Sequence, residues 1–233
     1  MYSFNSRIRY SEVDEQKYLT LNGIINYFQD CSTFHSEDIG LGFDFLESNN
    51  RAWVINSWQI VIDKYPKFGE KVIIGTWPYE FNGFIGYRNF VLLDENKQKL
   101  AYANSIWAYL DTETGRFAKT GEYELTRYVL EEKLDMDYAE RKIRLSEEGT
   151  PLEPVAVREH QIDTNHHMNN EEYVKLAQDL TKLRQPRELR VEYKKSALLG
   201  DMIYPRIITA DTEKTIILAD ADGKPYAIVK TRS

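Results

Sequence analysis

Residues 158–170 read Arg-Glu-His-Gln-Ile-Asp-Thr-Asn-His-His-Met-Asn-Asn, and three of the chain's four histidines lie among them. An extended run hands over to a helical one at this point, and such a junction has a chemical use. An imidazole, with an ordinary pKa of about 6.5, takes up a proton at neutral pH. A neighbouring carboxylate fixes its tautomer and balances the imidazolium, and a carboxamide orients a carbonyl or a water. The first N–H groups of a helix are unpaired and carry the positive end of its dipole, so they suit a developing oxyanion.

The competing uses of these residue types are weaker here. Clustered histidines suggest a metal, but His166 and His167 are adjacent and point apart on an extended chain, and the usual two-histidine helical spacing is missing. No metal site is therefore expected. A serine hydrolase needs a strained nucleophile elbow, and no Gly-x-Ser-x-Gly occurs. Cys31, the single cysteine, falls on the apolar face of a helix and reads as core; alone it forms no internal disulfide and no cysteine-based zinc site. Asn169 and Asn170 also serve as helix caps, and His160, on the strand side, reads as structural.

Two helices must position this segment and its surroundings. Thr20 caps a helix running to about Asp38, with Leu21, Ile24, Ile25, Phe28, Cys31 and Phe34 on one face and Gly40 to stop it. The second helix starts at Asn169 or Asn170, buries Tyr173, Val174, Ala177 and Leu180, and ends before Pro186. A third, more polar helix is expected over 122–130. Strand-like runs fill the rest: 52–63, 71–77, 85–93 and 100–110, then 188–195, 202–210, 215–219 and 226–230. Turns such as Asp220-Ala221-Asp222-Gly223 punctuate them.

The order of elements repeats. Asp14 precedes the first helix as Asp163 precedes the second, and each helix is followed by a strand that leads to a Gly-acid pair, Gly69-Glu70 and Gly200-Asp201. Aligning Asp14 with Asp163 sets Gln16 opposite Asn165 and Tyr18 opposite His167. A duplicated α+β unit follows, and its first copy keeps the acid but lacks the imidazole.

The string Asp163-x-Asn165-x-His167-x-Asn169-Asn170-x-x-Tyr173 resembles the signature of the acyl-acyl carrier protein thioesterases of plants and bacteria. Supporting stretches run along the whole chain: Asn26-Tyr27-Phe28-Gln29-Asp30, Trp53, Ile60 with Tyr65-Pro66 and Gly69-Glu70, and Ala103-x-Ser105-x-Trp107. The resemblance implies two tandem hotdog units, each a long helix wrapped by an antiparallel sheet. Residues 1–130 would form a first unit with a degenerate site and an acyl-chain pocket, 131–150 a linker, and 151–233 the unit with the catalytic motif. It also implies hydrolysis of a fatty acyl thioester on acyl carrier protein, in fatty acid biosynthesis, by Asp163, Asn165 and His167 without a cofactor. Plant members place a Glu-Cys pair where this chain has Ser196-Ala197. That departure removes a covalent cysteine route, and Ser196 is left as a candidate to position water.

Composition narrows the partners. A net charge of −7 argues against nucleic-acid binding through global charge. No apolar stretch approaches the roughly 18 residues of a membrane span, and no apolar signal core follows Met1, so a cytoplasmic location is expected. Lys182, Arg184, Arg187 and Arg190 nevertheless cluster close in sequence to the motif, with Lys194 and Lys195 beyond them. They read either as a solvated helix end or as a docking patch for an acidic carrier protein. A homodimer is a further expectation. The competing functions are an acyl-CoA thioesterase on the same scaffold and a non-catalytic acyl-binding protein; a sensor has no need of Asp163, Asn165 and His167 together.

Overall fold

Strand β1 (Tyr2–Arg7) opens the chain and pairs antiparallel with β3 (Lys71–Asn82), Tyr2 opposite Thr76 and Arg7 opposite Lys71. The computed structural model describes residues 1–146, 148–163 and 165–233; Thr164 in the motif and Glu147 in the expected linker lie outside them. They fall into two units, Met1–Ala139 and Glu140–Ser233.

In the first unit, α1 (Leu21–Asp38) starts where the sequence places it, because the Thr20 hydroxyl accepts the Gly23 N–H at 3.1 Å. It stops at Gly40, whose φ of +73° is the left-handed conformation that glycine adopts freely. A short α2 (Phe43–Ser48) leads to β2 (Arg51–Ile62); β3, β4 (Ile85–Asp94) and β5 (Lys99–Asp111) follow, then α3 (Glu122–Arg127). The sheet runs β1-β3-β4-β5-β2, antiparallel throughout. Leu21, Ile24, Ile25, Phe28 and Cys31 of α1 are fully buried over Trp58, Ile74, Phe90 and Ala103, with Phe28 and Phe90 ring centroids 5.2 Å apart.

Three sequence expectations shift here. Phe34 is 45% exposed and meets Phe4 edge-on, while His35 is buried, since at about 100° per residue position 35 falls on the apolar stripe and 34 leaves it. Strand β3 continues past Trp77 to Asn82 because a bulge between Pro78 and Glu80 absorbs the proline. Helix α3 ends at Arg127, not at residue 130, and Tyr128 turns inward so that its hydroxyl meets Ser36 at 3.0 Å.

Residues 131–139, expected as linker, are tied down on the first unit. Trp77 Nε1 donates to the Glu132 carbonyl at 2.8 Å. Asn89 Oδ1 accepts from Leu134 N–H and from the Tyr138 hydroxyl, both at 3.0 Å, and Gln59 bonds Asp137 O and Ala139 N, both at 2.9 Å. Trp58 and Arg88 meet α1 residues, so their neighbours Gln59 and Asn89 face the other side of the sheet, which this strap covers.

In the second unit, β6 (Thr150–Pro151) and β7 (Val155–Ala156) pair with β9 (Met202–Ala210) as β1 pairs with β3, but are cut short around Pro151 and Pro154, which lack an N–H. Helix α4 (Asn170–Thr181) packs on β10 (Glu213–Ala219) and β11 (Pro225–Arg232), and β8 (Glu188–Tyr193) pairs with β11. The order is β8-β11-β10-β9-β6. Tyr173, Val174 and Ala177 are buried as expected; Leu180 is half-buried and Thr181 takes the inner place. Each unit is thus a helix laid against an antiparallel sheet, the hotdog architecture.

Candidate active site

A single 3₁₀ turn, Glu159–Gln161, carries exposed His160 and delivers the chain to Asp163. An isolated bridge between Ile162 and Met168 then closes a tight loop. Asp163 N–H donates to His167 O at 2.8 Å and His166 N–H to Asp163 O at 3.1 Å. The Asp163 carboxylate reaches across: Oδ1 accepts the N–H of Asn165 at 2.8 Å and of His167 at 3.2 Å. His166 takes φ +61°, a left-handed conformation for a non-glycine residue. Asp163 is half-buried, and Asn165, His166 and His167 are exposed.

The first unit holds the same loop. Val13 bridges Leu19; Asp14 N–H donates to Tyr18 O at 2.8 Å and Lys17 N–H to Asp14 O at 2.9 Å. Asp14 Oδ1 accepts from Gln16 at 3.0 Å and from Tyr18 at 2.9 Å, and Lys17 takes φ +66°. A 3₁₀ turn precedes it, Tyr10–Glu12, and a capped helix follows. The match extends to the Gly-acid pairs: Gly69 and Gly200 have φ of +83° and +86°, and their N–H groups donate to Ile8 O and Val157 O at 3.0 and 3.1 Å. The same hydrogen bonds and left-handed residue are built twice, with different side chains.

Ala197, in the segment after β8, is tied to both the loop and α4. Its carbonyl accepts the Met168 N–H at 2.9 Å, and its N–H donates to the Tyr173 hydroxyl at 2.8 Å. Burial pushes the Tyr173 phenol up to about 12, so it stays protonated. Ala197 is fully buried and Ser196, beside it, is exposed, so the segment just after β8 that carries Ser196 runs against the exit of the loop. Tyr173 lies in the motif, but its part in pinning Ala197 escaped the sequence; the usable signal is that a buried tyrosine hydroxyl seeks a partner.

The helix end does less than its position suggests. Asn169 caps α4, its Oδ1 accepting the Glu171 N–H at 3.3 Å and its carbonyl the Glu172 N–H at 3.0 Å. Two first-turn amides are therefore occupied, and Glu171 and Glu172 put carboxylates where an oxyanion would need positive potential. The first turn of α4 is thus poorly suited to hold an oxyanion.

A family model for the acyl-ACP (acyl carrier protein) thioesterase N-terminal domain matches residues 1–126, and one for the C-terminal domain matches residues 146–223. The chain belongs to the acyl-ACP thioesterase family. It is 26% identical over 183 residues, 73% of its length, to a chloroplast palmitoyl-acyl carrier protein thioesterase of Arabidopsis thaliana. It is 25% identical over 181 residues, 72% of its length, to a chloroplast acyl-acyl carrier protein hydrolase of Cuphea viscosissima. These matches span 44% and 43% of the two plant proteins, so the chain accounts for less than half their length. In fold, a crystal structure of an acyl-ACP thioesterase from Bacteroides thetaiotaomicron agrees with a TM-score of 0.89 at 22% identity, covering 99% of this chain and 96% of that one.

The basic residues of this family member do not form one free surface. Arg190 donates to the Glu140 carbonyl, and at 3.3 Å to the Lys142 carbonyl, and is spent on the chain. Arg184 pairs with Asp179 at 3.1 Å, both well exposed. Exposed Lys182 is the left-handed C-cap of α4, and Arg187 is exposed. Helix α4 separates Lys182 and Arg184 from the loop by roughly 18 Å at about 1.5 Å per residue, so closeness in sequence does not become closeness in space.

Proposed function

We propose that the chain hydrolyses fatty acyl thioesters of acyl carrier protein, releasing free fatty acid and the carrier. The observation that supports this most is the pair of matched loops: the aspartate makes the same hydrogen bonds, and the positions opposite Gln16 and Tyr18 hold Asn165 and His167. In this reading His167 takes a proton from water as the water attacks the thioester carbonyl. The Asn165 amide donates to the carbonyl oxygen as negative charge develops there, and Asp163 orients the set. Ser196, in the segment after β8 beside the loop exit, positions the water. Collapse of the tetrahedral intermediate breaks the C–S bond, and the proton held by His167 goes to the departing thiolate.

The first unit, whose loop has no base, serves the acyl chain through α1 and the inner face of its sheet, near Phe28, Trp58 and Phe90. The reading includes a cytoplasmic location and a homodimer, which cell fractionation and light scattering test. The decisive assay follows release of fatty acid from a panel of acyl carrier protein thioesters, with the same acyl groups on CoA, for wild type and His167→Ala. Turnover by the variant should fall about 10²–10⁴-fold. Near wild-type hydrolysis by folded H167A removes the assignment. Preference for CoA makes the chain an acyl-CoA thioesterase, and tight acyl binding without turnover makes it a binding protein.

A further inference from the structure

Because the loop is built twice, what its aspartate does for the backbone can be separated from what it does for chemistry. The first loop has no imidazole for an aspartate to orient, yet Asp14 is present and makes the same two contacts, to the N–H groups two and four residues on. In both loops the residue between the two gripped positions, Lys17 or His166, is a non-glycine at φ of +66° or +61°. Such a conformation persists where surrounding contacts fix it, and a carboxylate oxygen bonded on either side of it does so.

We propose that Asp163 is a positioning residue: its Oδ1 holds the N–H groups of Asn165 and His167 and so aims both side chains, with no proton or charge passing through it. This rests on the reading of His167 as the base. What the loop then needs at position 163 is an acceptor oxygen, not a negative charge. Asparagine presents a carbonyl oxygen in the same place and forms the same turn, whereas alanine presents nothing.

The test compares full-length wild type with D163N, D163A and H167A, measuring kcat, KM and the pH profile of kcat/KM on one acyl carrier protein thioester. Amide exchange at the His167 N–H is followed in parallel. D163N is expected to stay within about tenfold of wild type, short of the roughly 10²–10⁴-fold cost of losing a proton-transfer group, with the pH profile and the exchange protection kept. D163A should lose protection at His167 and fall on the order of 10²-fold, the cost of misplacing a catalytic group. Asp14→Asn and Asp14→Ala supply a control away from the base: only the alanine variant should lose protection at the Tyr18 N–H. If D163N falls as far as D163A while its loop stays protected and H167A is also inactive, Asp163 takes part in the chemistry and the inference is wrong. If H167A keeps wild-type turnover, the catalytic reading itself fails, and the inference with it.

Discussion

His35 lies outside the candidate catalytic segment and is buried on α1. Burial, then the Arg88 guanidinium, lowers its pKa to about 4, and its Nδ1 sits 3.0 Å from Arg88 Nη1 as an acceptor. The guanidinium is itself buried, against His35, the Thr76 hydroxyl at 3.4 Å and the Tyr128 ring at 5.5 Å. The negative end of the α1 dipole suits a cation there, provided the imidazole stays neutral. The unfolded chain binds a proton at the ordinary value of about 6.5, so the stability from a neutral His35 is complete above that pH. It is lost as pH falls from about 6.5 toward 4, by ~3 kcal/mol across the window. Denaturant unfolding of wild type and His35→Gln at pH 7.5, 6.5, 5.5 and 4.5 checks this, since glutamine keeps an acceptor for Arg88 and cannot be protonated. Stability of H35Q should fall less steeply; equal slopes would rule His35 out as the titrating group.

At the scale of the element, α4 sets a direction as well as a position. Its N-terminus is capped and acidic and faces the loop, and its C-terminus carries Lys182 and, just beyond, Arg184. An acidic carrier drawn to that far end would be steered by exposed charge while the thioester reaches the loop, an effect that salt weakens. Reversing Arg184 and Arg187 to glutamate should therefore raise KM for carrier-bound substrate several-fold, with kcat unchanged and a small-molecule thioester unaffected. Steady-state kinetics on both substrates at low and high salt decides it. An equal change on the two substrates means that the charges act on the fold or the site and not on docking. Arg190 is left out because its bonds to the 140–142 backbone make its loss a structural change.

Over the whole molecule, the 233 residues hold the loop's hydrogen bonds once in each unit, with Gln16 and Tyr18 in the first where the proposed site in the second has Asn165 and His167. The strap at 131–139 hangs on Asn89, a fully buried amide that accepts from Leu134 N–H and the Tyr138 hydroxyl and donates to Ala103 O at 3.1 Å. Asn89→Ala should cost about 1–3 kcal/mol by leaving those groups unpaired. It should also speed amide exchange at Leu134, while exchange in α4 stays as it was. Unchanged protection at Leu134 would mean that the strap is held by Gln59 and Trp77. The sequence alone determined what depends on neighbours along the chain: the Thr20 and Asn169 caps, the strand runs, the Asp14–Asp163 register and the residue types at 165 and 167. Those signals were readable because caps, turns and alternation use hydrogen bonds and periods only a few residues long. The tertiary structure alone decided that His35 meets Arg88, that 131–139 binds back through Gln59 and Asn89, that Ala197 is clamped between Met168 and Tyr173, and that α4 carries Lys182 and Arg184 away from the loop. Each of those depends on contacts between residues far apart in sequence, which a local pattern does not encode and which only packing and the pairing of buried polar groups select.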